Sequence, residues 1–410
     1  MLLIEKHHEY ARLLLTEGVA LQQDQPLLIN GEVESANFIR ILVQEAYALG
    51  ASDVHVNWRD GLIGKERLLH AKEEILSNPK PWVPEFYHNQ LDANVAVISL
   101  VSANPTLLAG VPSDRIALQS RSLNKILKFY HEAVMSSAIR WCVAAVPTLL
   151  WANELGFTGT DEEKLQTLWF RILELCRVHE ITEENGLHAH LERLSHRTEA
   201  LNNLRIKSFH YTAPNGTDLY VEFPTDHLWQ GGSEKAKDGI VFTANIPTEE
   251  VFTAPHRLGV NGTVHSTKPL IYQGNRINNF SLTFESGTVV SFTAEEGYDV
   301  LKTLLETDEG AARLGEVALV DHFSPISQSN TIYFETLFDE NASCHLAFGA
   351  SYPTTLTGAE NLSEEELLAV GMNDSLVHVD FMIGHEQMNI TALTQSGESV
   401  AIMKEGKLLL

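Results

Sequence analysis

Over residues 1–200, amphipathic stretches of helical period alternate with short, almost continuously apolar runs. Glu5 to Leu21 reads as a helix, Gln25-Pro-Leu-Leu-Ile-Asn-Gly31 as a strand, and Ser35 to Leu49 as an amphipathic helix stopped at Gly50. Ser52 to Trp58, Ala93 to Val101 and Ile139 to Val146 supply three more strands, with a helix predicted over Ser113 to Met135. Apolar strands separated by helices predict a parallel sheet covered on both faces. None of them leads into Gly-x-Gly-x-x-Gly or Gly-x-x-x-x-Gly-Lys-Ser/Thr, so nothing points to a bound nucleotide.

Residues 160–204 are helix-rich and charged, and read as a connector. His188, His190 and His196 lie there, but residues two apart on a helix point about 200° away from each other. An exposed polar face is therefore expected for them rather than a metal site. Beyond Leu204 the period drops to two. Ile206 to Thr212 and Asp218 to Phe223 flank Ala-Pro-Asn-Gly216, a hairpin signal. Further strands are predicted over Gly259 to Val264, Pro269 to Tyr272, Ile277 to Glu285 and Thr288 to Thr293, with a helix near Tyr298 to Thr307. The expected fold is an α/β N-terminal domain over 1–200, its parallel sheet covered by helices and ending in the helical connector. A β-rich α+β C-terminal domain over 201–410 follows and carries the chemistry.

Candidate chemistry concentrates between Glu316 and Asp380, where carboxylates and imidazoles recur beside apolar runs. Anionic oxygens with His nitrogens are the donor set of a buried divalent-cation site. In a strand His378 and Asp380 face the same side, and burying both unpaired costs several kcal/mol, so either a cation or a His–Asp hydrogen bond must compensate them. Glu340 and His345 lie five apart in a segment that suggests a loop or tight helical turn, and Glu316 heads the apolar run Glu-Val-Ala-Leu-Val. Glu249 and Glu250 sit on a constrained loop between prolines, where an extended chain points only one of them inward. Cys344 directly precedes His345, a poor geometry for nucleophile and base, and there is no Gly-x-Ser-x-Gly; packing is the better account of Cys344. No His-Glu pair is followed by a His at the spacing of the familiar zinc-protease helix.

Charge narrows the partners. With 54 acidic against 29 basic residues and a net charge of −25, little basic surface is left to neutralise phosphates, so no nucleic-acid partner is expected. The same field favours cationic ligands, a peptide's free ammonium among them. The N-terminus lacks a signal-peptide pattern, and no run approaches the ~18 apolar residues of a spanning helix, so a cytoplasmic protein without a membrane partner is expected. Cys142, Cys176 and Cys344 make neither a disulfide framework nor a Cys-x-x-Cys pair.

Asn245-Ile-Pro-Thr-Glu-Glu-Val-Phe-Thr253, Gly315-Glu-Val-Ala-Leu-Val320, Glu340-Asn-Ala-Ser-Cys-His-Leu-Ala-Phe-Gly349 and His378-Val-Asp-Phe-Met-Ile-Gly384 together resemble the M29 family of metallo-aminopeptidases, and the likeness covers essentially the whole chain. The resemblance implies that Glu250, Glu316, Glu340, His345, His378 and Asp380 bind two divalent ions (zinc, cobalt or magnesium), with Glu316 as the bridging carboxylate and Tyr352 as the active-site tyrosine. It also implies a homodimer. The expected function is removal of N-terminal amino acids from peptides with a free N-terminus by two-metal-activated water, with Tyr352 stabilising the oxyanion and Glu249 or Glu340 shuttling a proton. The alternatives are a two-metal hydrolase of phosphate esters, for which only Arg257 and Arg313 lie near the ligand segments, and a non-catalytic metal-stabilised protein.

Overall fold

The computed structural model describes residues 3–178 and 186–410. It divides into two compact units: Met1–Leu191 with Ser233–Thr248, and Glu192–Gly232 with Glu249–Leu410.

The first unit is built on a five-stranded sheet, all parallel, in the order Val54–Arg59, Leu27–Glu32, Ala96–Val101, Trp141–Ala145, Asn245–Ile246. Its inner strands are buried along most of their length, the burial that their apolar runs predict. The predicted N-terminal helix runs Leu3–Leu13 and then widens into a π-helical turn, Leu14–Gly18, instead of continuing to Leu21. The turn closes at Gly18, which packs tightly on the sheet: a Cβ there would lie 3.0 Å from Cys142 Sγ. The single helix expected over Ser113 to Met135 is two, Ser113–Ile126 and Lys128–Met135, because Leu127 leaves the helical ψ and turns its side chain inward. Helices Gly61–His70, Glu73–Ser77 and Trp82–Asp92 occupy a stretch with no strong period; Asp60 caps the first by accepting from the Leu62 and Ile63 amides.

In the connector, Thr160 and Glu163 form a capping box on Asp161–Leu175, and a second helix runs Leu187–Leu204. Part of the predicted connector, residues 179–185, lies outside the described residues. His188 and His196 are exposed, but His190 is not: it is buried with Nε2 2.8 Å from the Thr248 carbonyl oxygen. That corrects the expected polar face at one position. The reason is a backbone carbonyl supplied from a segment 58 residues away.

The second unit holds two antiparallel sheets. The larger has nine strands, and at its centre lies the predicted hairpin, Ile206–Thr212 paired with Asp218–Glu222. Val260–His265, Leu270–Tyr272, Asn275–Glu285 and Thr288–Glu296 follow close to their predicted positions, then the helix Tyr298–Leu305. The smaller sheet runs Glu250–Thr253, Leu314–Val320, His345–Gly349, His378–Met382. One hydrophobic core joins the two, with Phe209, Phe280, Leu346, Phe348 and Phe381 among its buried members. An α/β unit followed by a β-rich unit is the expected fold class. Among the described residues no helix is long and apolar enough to cross a membrane.

Phe348 is fully buried and stacks on Phe381 at 4.5 Å. Phe348→Ala is expected to cost about 3–5 kcal/mol, read as a lower denaturant midpoint for the second unit's transition; an unchanged midpoint would contradict this packing.

Candidate metal centre

Directly opposed residues of antiparallel strands share a face, so register decides which side chains meet. In the smaller sheet Glu250 stands opposite Val320, Glu316 opposite Ala347, Ala347 opposite Asp380, Ala318 opposite His345, and Gly349 opposite His378. Glu250, Glu316, His345, His378 and Asp380 therefore project from one face, over Ala318, Ala347 and Gly349, whose small size leaves the space between them open. The alternating residues Val251, Val317, Leu319, Leu346, Phe348 and Phe381 enter the core on the other face. The pairing shifts by one residue between Leu314 and Glu316. This bulge falls at Gly315, where a Cβ would lie 2.3 Å from the carbonyl oxygens of Gly349 and Ala350. The extra residue keeps Leu314 in the core while Glu316 turns to the other side.

Two triads result, each with its ligand atoms within 4.8 Å of one another: Glu250, Glu316, His345 and Glu316, His378, Asp380. Glu316 belongs to both, turning Oε1 to His345 Nε2 and Oε2 to His378 Nε2, each at 3.5 Å. His345 Nε2 also lies 2.9 Å from Glu250 Oε2, and His378 Nε2 3.6 Å from Asp380 Oδ1.

Both imidazoles are held from behind. His345 Nδ1 donates to the carbonyls of Glu340 and Ser343, 3.0 Å each, and His378 Nδ1 donates to the Ala350 carbonyl at 2.8 Å. A carbonyl only accepts, so a neutral ring carries its proton on Nδ1 and turns the Nε2 lone pair to the carboxylates. Lone pairs facing anions repel unless a cation lies between them. In the same sense, the buried oxygens Glu250 Oε2 and Asp380 Oδ1 have no aligned hydrogen-bond partner despite these short approaches. Atoms aimed at a common centre rather than at each other have this geometry. The donor set of carboxylate oxygens and imidazole nitrogens fits a divalent ion.

Electrostatics agree. Burial raises the Glu250 carboxyl above its usual range, and His345 offsets this only partly. Burial pushes Glu316 the same way, but His345 and His378 outweigh it and bring the group down to about 2. Burial alone would depress both imidazoles; Glu250 and Glu316 lift His345, and Asp380 and Glu316 lift His378, well above the ordinary value. The face demands positive charge, from protons or from metal.

Glu340 ends the short helix Thr336–Glu340, the tight helical turn that the sequence suggests, and is buried. It belongs to neither triad. Burial, then Asp380 and Glu250, raise its carboxyl well above the usual range, so it stands within their electrostatic reach. Tyr352 sets its ring edge-on to His378 at 4.9 Å and 5.7 Å from Phe252. Glu249 and Glu250 are both buried, and Glu250 opens a strand rather than sitting on a loop. Cys344 is packed as expected, with burial raising its thiol to about 11. The sequence did not single out Asn341, whose fully buried amide accepts from the Glu249 N–H at 2.6 Å and donates to the Leu337 carbonyl at 2.8 Å, tying the Glu250 strand to the Glu340 helix. An Asn in a Ser- and Asn-containing segment reads as a turn former, and nothing local marks it otherwise.

A family described as "Thermophilic metalloprotease (M29)" matches residues 4–408. The chain belongs to the M29 metalloproteases. Membership makes it a metal-dependent peptide-bond hydrolase. This M29 chain is 42% identical over 398 residues to Aminopeptidase 2 of Geobacillus stearothermophilus, covering 97% of the chain and 96% of that protein. It is 41% identical over 402 residues to aminopeptidase AmpS of Bacillus subtilis, covering 98% of each. The solved structure of wild-type AmpT from Thermus thermophilus superposes with a TM-score of 0.90 at 34% identity, covering 100% of both chains. A 2,5-dihydroxypyridine dioxygenase from Pseudomonas putida shares the fold alone, with a TM-score of 0.51 at 11% identity over 99% of this chain and 100% of that one.

Glu335, beside Asp339 ahead of the Glu340 helix, has its carboxyl raised from 4.5 to about 7 by burial and then by Asp339. The folded state binds this proton more tightly than the unfolded state, so its contribution is full below about pH 4.5 and is lost as pH rises through 7. Glu335→Gln is expected to flatten the fall in Tm between pH 5 and pH 8, measured by calorimetry on both proteins. An identical fall in both would show that Glu335 ionises freely.

Proposed function

We propose that this chain is an aminopeptidase, removing N-terminal residues from peptides at a centre of two divalent cations drawn from zinc, cobalt and magnesium. Glu316 carries this reading, as one carboxylate shared by both triads with an oxygen turned to each imidazole. Glu250, Glu316 and His345 would hold one ion, and Glu316, His378 and Asp380 the other. Three protein ligands per ion leave positions for water and substrate. Glu250, Glu316, Glu340 and Asp380 together match the charge of two dications. His345 is 1% exposed, whereas His378 and Asp380 keep 18% and 14%, so the second triad is the more open to substrate.

The chemistry the ions supply when bound is Lewis acidity toward a water molecule and the scissile carbonyl. The chain supplies the rest. Backbone carbonyls fix both rings with Nε2 forward, so that a single orientation is held through turnover. Tyr352, braced between His378 and Phe252, offers its phenol as donor to the carbonyl oxygen as that atom gains negative charge. Glu340, named as a ligand by the resemblance, has its proton affinity raised by burial and then by Asp380 and Glu250, which suits it to relay a proton to the leaving amine. The names of the relatives, aminopeptidases all, support a substrate with a free amino terminus. The family resemblance adds a homodimer, which sedimentation would read directly.

Leucyl- and arginyl-p-nitroanilide should be cleaved by the purified protein, lose cleavage on chelation, and regain it with cobalt, zinc or magnesium. Cleavage that survives complete metal removal would sink the proposal. Glu316→Gln and His378→Ala are expected to abolish turnover and lower bound metal, measured by elemental analysis. Tyr352→Phe should keep its metal and lose on the order of 10²–10³ in kcat; near-normal kcat would remove Tyr352 from the oxyanion's partners.

A further inference from the structure

Apart from the triads, the second unit carries a polar cavity of about 220 Å³, lined by Arg205, Asp226, His227 and Thr357 among others. Arg205 follows the Leu187–Leu204 helix in a left-handed conformation, φ 44°, and so sits where that helix presents its last carbonyls and their partial negative charge. Asn202, also in the wall, spends both ends of its amide on the Trp229 backbone, accepting at 2.8 Å and donating at 3.1 Å, so it is a fixed surface rather than a free group. His227 donates from Nδ1 to the Pro224 carbonyl at 2.8 Å, and burial, only partly offset by that bond, holds its pKa down, leaving a neutral Nε2 as an acceptor. Arg205 and Asp226 both line the cavity as solvent-exposed side chains, are not paired with each other, and among the described residues have no ion-pair partner. A cation and an anion lining one small, open polar space are complementary to a ligand that carries both charges. The volume is below that of sites for drug-sized ligands, which argues for a molecule of few atoms rather than a peptide.

We propose that this cavity binds a free α-amino acid, with its carboxylate on Arg205 and its ammonium on Asp226 and the helix carbonyls, and that occupancy modulates the catalytic face. The link is the segment from Asp226 to Gln230. Thr357 N donates to Asp226 O at 3.0 Å, Leu228 N to Thr355 O at 2.7 Å, and Gln230 Nε2 to Thr354 O at 3.0 Å, all in or beside the turn that begins at Tyr352. On its other side Thr253 Oγ1 donates to Leu228 O at 2.9 Å, and Gln230 and Phe252 exchange backbone hydrogen bonds of 2.8 Å, within the strand that opens at Glu250. A ligand drawing Asp226 inward therefore bears on the tyrosine turn and on the Glu250 strand together. The regulatory part rests on the aminopeptidase reading, in which a free amino acid is the product.

The test combines calorimetry and kinetics on the full chain as purified. Free leucine should titrate a site that Arg205→Ala and Asp226→Asn each weaken on the order of tenfold or more. N-acetyl-leucine and leucinamide, each lacking one charge, should bind that site correspondingly worse. At saturating substrate, leucine should change kcat in the wild type and not in either variant, whose turnover without leucine stays normal. Leucine binding that is equal in all three proteins, or an effect on KM alone, would place leucine only at the catalytic face and overturn the proposal. Inorganic phosphate binding that needs Arg205, with leucine binding indifferent to both substitutions, would make this an anion site and overturn it too. Calorimetry needs no turnover, so an absent peptidase activity and an absent cavity site are told apart.

Discussion

Carboxylates crowded on one buried sheet face repel each other, and the second unit is arranged around that repulsion. Two like charges about 4 Å apart repel by roughly 4 kcal/mol at the effective dielectric of a protein surface, and more where water is excluded. Glu250, Glu316 and Asp380 crowd one face in this way with Glu340 in electrostatic reach, and protons on His345 and His378 would offset only part of their charge. A bound cation would relieve the remainder, and the affinity of the face for metal and the stability of the sheet that carries it would then be one linked quantity. The mixed directions of the pKa shifts, Glu316 down and Glu250 and Glu340 up, record how unevenly the imidazoles share their compensation.

Such a cluster needs rigid support, and the backbone provides much of it. The carbonyls of Glu340, Ser343 and Ala350 orient the two rings, and Asn341 ties the helix behind Glu340 to the start of the Glu250 strand. On the reverse face, Leu346, Phe348 and Phe381 pack into the core shared with the nine-stranded sheet. A candidate metal ligand thus sits one residue from a side chain that packs the core, on the same strand.

That alternation is why much of the site was legible in the sequence. His378-Val-Asp380 stands out because period two puts two ionisable groups on one side of an apolar strand, and Glu316 because a charge interrupts an otherwise apolar run. Alternation within a strand says nothing about which strands meet, however. Glu250 and Glu316 come together through pairings across 64 to 70 residues, and the register of Glu316 against the His345 strand depends on a bulge with no local signature beyond one glycine. His190 escaped for the same reason, since its partner carbonyl arrives from a distant segment. The parallel sheet was readable from its apolar runs, while the break at Leu127 was not, because tertiary burial of one leucine overrode a continuous helical period.

The bulge at Gly315 bears on how the chain finds its fold. Sliding the Leu314–Val320 strand by one position against His345–Gly349 would exchange its two sets of side chains, driving Glu316 among the phenylalanines and exposing Val317 to the acids. Few strands in an apolar setting discriminate so sharply between neighbouring alignments, since most trade one aliphatic group for another. Here a candidate metal ligand also selects the strand register, because the misaligned pairing would bury its charge among apolar side chains whether or not an ion is bound.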